Sequence, residues 1–356
     1  MTIIFAILIF SFLIFIHELG HFVAAKLSGV QVNEFALFMG PAIWQKQVGE
    51  TLYSLRCIPI GGYCAMEGED GEEGESDNPR SFQKAAWWKR FLILVAGAFM
   101  NFVAGVLIFC IVFLPQGTIY SKTITQLDDC CIFRGENGLM PGDRFLEIDG
   151  EKVYVNGDIP LLLGLNDTGV YDLVILRNGR EVVIEDLPMT HTHVDEKGEE
   201  YIHFGIRYDA VQELDIPGRF GYVWDNVVNT VRNVRLSLQM IVSGKAGLQD
   251  MSGPVGIVSI MSDVADSSET TFDAMMNMLY FGGFLGINLA VMNLLPIPAL
   301  DGGRVVGLLI STAYEAVTKR KLDPKYEGVV HGVGMVLLLI LMGVIMFKDI
   351  FVIIMG

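Results

Sequence analysis

Four long apolar stretches constrain this chain more than any other feature of its sequence. They run from Ile3 to about Leu27, from about Trp88 to Leu114, from Met275 to about Val317, and from Val329 to Met355. A helix needs about 20 apolar residues to cross a bilayer, so the first, second and fourth stretches each predict one spanning helix. The third is too long for one straight helix and contains Pro296 and Pro298, so we expect it to be broken.

The composition agrees with a membrane protein. Hydrophobic residues make up 52% of the 356 positions and charged residues only 19%, whereas a soluble chain carries roughly 25% charged residues. The net charge of −16 provides no electrostatic footprint for nucleic acid, which excludes that class of partner. Five scattered cysteines predict free thiols rather than a disulfide framework.

Basic residues between the apolar stretches predict the orientation of the chain. Six lie between the first two stretches: Lys46, Arg56, Arg80, Lys84, Lys89 and Arg90. Four lie between the last two: Lys319, Arg320, Lys321 and Lys325. Because loops rich in Lys and Arg stay in the cytoplasm, both loops are predicted to be cytoplasmic. Both termini and the long section 115–274 then lie on the outer side of the membrane.

The strongest chemical signal is the sequence H-E-L-G-H at positions 17–21, inside the first apolar stretch. On a helix, His17 and His21 lie one turn apart on the same face and can bind one metal ion. Glu18 stands beside the first of them, where it can accept a proton from an attacking water, as in the H-E-x-x-H zinc proteases. The competing interpretation is a polar boundary of the membrane. Ionisable groups at membrane depth are rare, and three at this spacing suit a metal site better.

A catalytic zinc needs a third protein ligand and one open position. The candidate at membrane depth is Asp301, in N-L-L-P-I-P-A-L-D-G-G at positions 293–303. The two prolines stop a helix, and Gly302 and Gly303 let the backbone turn without strain. Freed backbone groups inside a membrane are tolerated where they line a cavity or a wet site, which suits a cation ligand. The alternative is a simple loop in which Asp301 only caps the next helix.

Together these two motifs resemble the site-2 protease family of intramembrane zinc metalloproteases, and within it the bacterial RseP type (regulator of sigma-E protease). The resemblance implies that His17, His21 and Asp301 bind one Zn²⁺ per chain and that Glu18 is the general base. It implies second-step cleavage of single-pass membrane proteins, such as anti-sigma factors or signal-peptide remnants, after an upstream site-1 protease has cut them. It also implies a multi-pass protein of the bacterial inner (cytoplasmic) membrane.

Further positions match the family more loosely. The stretch from Thr51 to Tyr63 resembles its membrane-re-entrant β-hairpin, which implies that a substrate is guided there as an extended strand. Its alternating pattern fits short strands. The matching residues imply substrate contact by Gly61, Gly62, Tyr63, Asn293 and Pro296. From the residues alone, Asn293 could equally satisfy a carbonyl of the broken helix. The second stretch matches an A-G-P-x-x-N motif at 96–101, with Ala98 in place of the proline.

In the section 115–274, the spacing of apolar residues changes from a helical pattern to one typical of strands. Asn178-Gly179 and Asp149-Gly150 each lie between strand-like runs and predict two tight hairpins. The sequence G-L-x-P-G-D at 138–143 resembles the PDZ fold of bacterial proteases, which implies a peptide groove at Gly138 and Leu139, lined by a short helix at 158–165. Such a groove adds a peptide as an extra strand and can hold a free C-terminus. In the family the domain is thought to act as a size filter, and a rigid spacer is the alternative.

These observations predict a mostly α multi-pass membrane protein with four transmembrane segments, a cytoplasmic-side re-entrant β-hairpin and a single inserted extracytoplasmic α/β PDZ-like domain. The predicted divisions are 1–27, 28–87 (with the hairpin), 88–114, 115–210 (PDZ-like), 211–274 (with an amphipathic helix), 275–317 and 329–356. Two other functions stay open at this point. A transporter also has broken helices and buried carboxylates, and a non-catalytic scaffold could recruit peptides through the PDZ-like domain. Nothing in the sequence specifies an oligomeric state.

Overall fold

The computed structural model describes residues 2–69, 77–128, 131, 133–189, 192–194, 200–202, 204–320 and 324–355. The chain divides into two compact units, one of residues 1–109 with 230–356 and one of residues 110–229. The helices are α1 (Thr2–Ser28), α2 (Trp87–Phe113), α3 (Asp158–Gly164), α4 (Ile216–Ser243), α5 (Pro254–Asp266), α6 (Thr271–Asn293), α7 (Asp301–Thr318) and α8 (Pro324–Met355). The strands are β1 (Val32–Val48), β2 (Thr51–Met66), β3 (Thr118–Tyr120), β4 (Gln126–Leu127), β5 (Arg144–Ile148), β6 (Glu151–Lys152), β7 (Val170–Arg177), β8 (Arg180–Pro188), β9 (Thr192–Val194), β10 (Glu200–Ile202), β11 (Ile206–Arg207) and β12 (Val211–Glu213).

Four helices of the described chain are long and apolar enough to cross a membrane, which confirms the prediction of four such segments. They are α1, α2, α6 and most of α8. The third apolar stretch is broken where the two prolines predict it. Helix α6 ends at Asn293, and α7 begins at Asp301. Because Pro296 and Pro298 have no N–H to donate, neither helix can continue through the residues between them.

Strands β1 and β2 contain the region predicted as a hairpin. The stretch from Thr51 to Tyr63 belongs to one bent strand, β2, and separate runs of it pair with the upstream strand β1. Strand β2 lies on both sides of the first half of β1, so that Leu37 pairs with Leu55 and also with Gly62. A bend in β2 makes this possible, and Gly61 has a positive φ of 79° there. The run from Gly62 to Met66 therefore forms an outer edge of the sheet.

The core of this first unit joins the sheet to the helices. Val32 and Phe35 of β1, Ala25 of α1 and Ile93 of α2 are buried in one cluster. A second cluster packs α5 against α1 and α6. Burial of these apolar side chains, rather than helix propensity, fixes how α1 lies against its neighbours. Helix α1 is the element that carries the H-E-L-G-H motif, so both clusters position that motif.

Helix α8 is tied to the start of α5 by a carboxylate. Asp349 is buried, and its Oδ2 accepts hydrogen bonds from the backbone N–H groups of Gly253 and Gly256, at 2.8 and 2.9 Å. Those N–H groups belong to the first turn of α5, where a helix has no backbone acceptors of its own. Lys348 adds an ion pair, with its Nζ 3.0 Å from Oδ1 of Asp349.

The second unit contains a four-stranded sheet in the order β6-β5-β7-β8. Both predicted hairpins are present, and the turn residues Asn178, Gly179, Asp149 and Gly150 all have positive φ angles, as two-residue turns of this kind require. Helix α3 occupies 158–164, close to the predicted 158–165. Strand β12 pairs with β3, so the pairing of this unit extends to position 213, slightly beyond the predicted limit of 210.

One ion pair stabilises this second unit from inside. Asp143 is buried and accepts hydrogen bonds from Nε and Nη2 of Arg177, at 2.8 and 2.7 Å. The N–H of Met140 donates to the same carboxylate. The Asp143 carboxylate raises the pKa of the Arg177 guanidinium. Because Arg177 also donates to the carbonyls of Glu136 and Gly138, it ties β7 to the segment that contains the predicted groove.

Candidate metal centre

Helix α1 presents His17 and His21 on one face, and the start of α7 brings Asp301 to the same point. The two Nε2 atoms lie 3.2 Å apart. Oδ2 of Asp301 lies 3.2 Å from Nε2 of His17 and 3.4 Å from Nε2 of His21. Within the described residues these three form the one group of His, Cys, Asp or Glu side chains that could hold a metal ion. The structure thus brings together the three residues that the sequence predicts as ligands.

The chemistry of this cluster fits a bound cation. Oδ2 of Asp301 is buried and has no hydrogen-bond partner among the residues that the structure describes. Nδ1 of His21 lies 2.8 Å from the carbonyl oxygen of Ile93, which places the proton of a neutral ring on Nδ1 and leaves a lone pair on Nε2. Electron-rich atoms therefore face one another. Ligand atoms about 2.1 Å from a tetrahedral zinc lie roughly 3.4 Å apart, close to the three distances observed.

Two asparagines contact the other side of the His17 ring. Nδ2 of Asn101 lies 3.4 Å and Nδ2 of Asn293 lies 3.5 Å from Nδ1 of His17. Oδ1 of Asn101 is buried without a partner. Turning the Asn101 amide end for end would supply the acceptor that an Nδ1–H needs, and would leave Nε2 of His17 free to bind a metal. The sequence marks Asn101 as part of a motif but gives it no role.

Close contact between α1 and α2 requires two glycines. A Cβ atom on Gly20 would lie 2.4 Å from the carbonyl oxygen of Ala96, and one on Gly97 would lie 2.3 Å from Nε2 of His21. The first distance is impossible unless a helix moves, and the second is impossible unless the His21 imidazole moves. Gly97 therefore leaves room for the imidazoles themselves, a function that periodicity along the sequence could not reveal.

Glu18 lies beside the sheet edge formed by β2. A Cβ atom on Gly62 would lie 3.4 Å from Cγ of Glu18, which is ordinary van der Waals contact. A carboxylate next to the ligand cluster and next to an open strand edge can meet both a water molecule and an extended peptide.

The residues predicted to contact substrate separate into two groups. Gly62 lies beside Glu18, and Asn293 contacts His17. Gly61 instead lies against Met39, and Pro296 is exposed in the loop between α6 and α7. Burial and the Glu34 carboxylate raise the pKa of Tyr63 to about 12, so its hydroxyl stays protonated against Glu34. Of the five, the structure thus places Asn293 beside the candidate ligand His17, and Gly62 beside Glu18.

The predicted peptide groove of the second unit has its backbone donors already in use. The N–H of Gly138 donates to the carbonyl of Gly135, and the N–H of Leu139 donates to the carbonyl of Phe133. The side chain of Leu139 is fully buried. A peptide carboxylate arriving at these two residues would find no free N–H on either of them.

Comparison with known proteins places these observations in a family. The model of Peptidase family M50 matches residues 5–341. A Clostridium perfringens protein, provisionally named a zinc metalloprotease, is 37% identical over 351 residues, covering 98% of each chain. Zinc metalloprotease RasP of Oceanobacillus iheyensis and the regulator of sigma-W protease RasP of Bacillus subtilis are each 28% identical, again over 98% of each chain.

Proposed function

The chain belongs to peptidase family M50 and is a zinc metalloprotease, and we propose that it hydrolyses a peptide bond at membrane depth in single-pass membrane proteins. The convergence of His17, His21 and Asp301, with Glu18 beside them, is the observation that carries this proposal. Family membership favours an enzyme over the transporter and the scaffold. Neither of those would need a general base beside three converging ligands.

The residues of the site divide the chemistry between them. His17, His21 and Asp301 would hold one Zn²⁺, which when bound lowers the pKa of water and polarises the scissile carbonyl. Glu18 takes the proton from the attacking water and passes it to the leaving amine. The Ile93 carbonyl and the two asparagine amides keep the imidazoles in place.

A helical substrate must be unwound before it can be cut, because helical carbonyls are already hydrogen-bonded. We propose that the Gly62–Met66 edge of β2 holds the unwound segment as an added strand. The position of Gly62 beside Glu18 supports this, since a peptide paired there would lie next to the base. Exposed apolar side chains on the rest of the sheet, including Ile43 and Trp44, suit a hairpin that enters the membrane from the cytoplasmic side.

The substrates we propose are single-pass proteins whose outer domain a first protease has removed, such as anti-sigma factors or signal-peptide remnants. The Bacillus subtilis relative is named as a regulator of sigma-W protease, which supports a regulatory substrate. The unit of residues 110–229 would then act as a PDZ-like size filter. The internal hydrogen bonds of Gly138 and Leu139 favour exclusion of bulky ectodomains over capture of a free C-terminus.

For topology we propose the bacterial inner membrane, with both termini and the PDZ-like unit outside the cytoplasm. The support is the distribution of Lys and Arg, which cluster between the first two and between the last two spanning helices.

The decisive experiment is cleavage of a tagged single-span substrate by the full chain in liposomes, comparing wild type with Glu18→Gln. Gln keeps the shape of Glu18 but cannot accept the proton, so we expect loss of cleavage while bound zinc stays at one per chain. Removing zinc with a chelator should abolish wild-type cleavage, and adding zinc back should restore it. Wild-type cleavage rates in Glu18→Gln would contradict the proposed base. A wild-type chain without zinc would contradict the site.

A further inference from the structure

The loop that delivers Asp301 has one hydrogen bond to a distant helix. Residues 294–300 join α6 to α7, and two of them, Pro296 and Pro298, have no N–H. Four of the remaining N–H groups, those of Leu294, Leu295, Ile297 and Leu300, donate to backbone carbonyls of α6 or of the loop itself. The fifth, on Ala299, donates instead to Nδ1 of His331 in α8, at 3.1 Å.

 The position of that bond matters because Ala299 has an unusual backbone conformation. Its φ is +82°, a left-handed conformation that an L-residue other than glycine adopts at a cost. Such a backbone persists only where its surroundings fix it. Ala299 lies two residues before Asp301, so a rotation at Ala299 would swing the proposed ligand away from His17 and His21. The hydrogen bond that Ala299 donates to His331 therefore acts on the position of the Asp301 carboxylate.

A second contact on the same face of α8 supports the loop. Gly334 lies three residues after His331, so both face the same side of the helix. A Cβ atom on Gly334 would lie 2.4 Å from Cβ of Pro298 and 2.8 Å from its carbonyl carbon. Glycine is thus the residue that lets α8 approach the loop closely enough for His331 to reach Ala299.

We propose that His331 is a positioning residue of the metal centre, and that α8 uses His331 and Gly334 to hold the 294–300 loop in the conformation that presents Asp301. The inference rests on the proposed role of Asp301 as a ligand. It gives the fourth spanning helix, which carries none of the three proposed ligands, a direct part in building the site.

The test is the zinc affinity of the full-length protein in detergent, measured by competition with a chromophoric chelator. His331→Leu removes the acceptor, and we expect zinc to bind about 10- to 100-fold more weakly, as when an outer partner of a metal ligand is lost. His331→Asn should bind close to the wild-type affinity, because its Oδ1 occupies the place of Nδ1 and can accept the same bond. Leu and Asn have similar shapes, so the pair isolates the hydrogen bond.

Two glycine variants test the contact surface. Gly334→Ala should weaken zinc binding, because the added methyl group meets Pro298. Gly332→Ala is the matched control on the same helix, since nothing lies within 4 Å of a Cβ there, and it should leave the affinity unchanged.

The outcomes separate this inference from the proposed function. If wild type binds zinc and His331→Leu binds it equally well, the inference is overturned while the metal site stands. Equal losses in His331→Leu and His331→Asn would also overturn it. A wild-type chain that binds no zinc overturns the proposed function and this inference together. Unfolding midpoints measured in chelator should match between Leu and Asn variants, and a lower midpoint for Leu alone would assign its loss to folding and overturn the positioning role.

Discussion

Asp143 and Asp301 are two largely buried carboxylates, one in each unit of the molecule, and their surroundings are opposite. The Asp143 carboxylate accepts hydrogen bonds from Nε and Nη2 of Arg177 and from the N–H of Met140. The chain itself therefore balances its charge and occupies its lone pairs. Asp301 faces two imidazoles, and its Oδ2 has no hydrogen-bond partner. The chain itself satisfies the first carboxylate, whereas the second has room for the cation that we propose it binds.

Asp349 extends the comparison within the first unit. It lies in a spanning helix, as membrane-depth functional carboxylates do, yet two backbone N–H groups and Lys348 surround it. A position in a candidate spanning helix therefore does not distinguish a structural carboxylate from a proposed ligand. The distinguishing feature is whether donors of the chain already occupy its oxygens.

The largest effect, a loss of zinc affinity, is expected at Asp301. Asp301→Asn should weaken zinc binding by more than about 100-fold, since a ligand contributes more than its outer partners do, and cleavage should be lost. The metal-free protein should unfold at the same temperature as wild type or higher, because the uncompensated charge is gone. Competition with a chelator measures the zinc affinity, and thermal unfolding in chelator measures the stability of the metal-free protein. Zinc binding by Asp301→Asn as tight as that of wild type would contradict the claim that Asp301, unlike Asp143, binds a cation.

At Asp143, whose charge Arg177 already matches, we expect a substitution to change the free energy of unfolding. Arg177→Met leaves Asp143 buried without its partner, which costs about 3–5 kcal/mol of unfolding free energy. Zinc affinity should stay at the wild-type value. Proteolysis of the intact membrane protein under increasing urea measures the unfolding free energy. Arg180→Met is the control, because Arg180 is exposed at the other end of the same turn and should change stability little. Equal stability of both variants would show that Asp143 does not need Arg177.

A smaller effect is expected at Asp349. Asp349→Ala removes the acceptor of two N–H groups at the start of α5, which costs about 1–3 kcal/mol. Thermal unfolding in detergent should show the loss, and bound zinc should remain at one per chain when the protein is folded. Loss of zinc from folded Asp349→Ala would place this carboxylate in the metal centre and contradict its purely structural role.

The sequence predicted those parts of the molecule that depend on local chemistry. The spacing of His17 and His21 gave one helical face, the prolines gave the break before Asp301, and Asn178-Gly179 gave a hairpin. Each of these depends on residues within a few positions of one another. The prediction of two ligands on one helix and one on a break needed no knowledge of packing.

The parts that the sequence did not predict depend on contacts between distant segments. No pattern along β1 indicates that Leu37 would pair with two runs of β2. The amides of Asn101 and Asn293 reach the same nitrogen of His17 from two different helices. The pairing of Asp143 with Arg177 likewise joins residues far apart in the chain. Such contacts follow from tertiary packing, which periodicity does not encode.

The placement of the three proposed ligands along the chain has a consequence for its synthesis. His17 and His21 emerge early from the ribosome, but Asp301 emerges only after α1, α2, the unit of residues 110–229 and α6 have been made. A nascent chain therefore carries an incomplete set of ligands for most of its translation. Because the proposed zinc site needs all three side chains, the chain can become a peptidase only after the start of α7 has been synthesised.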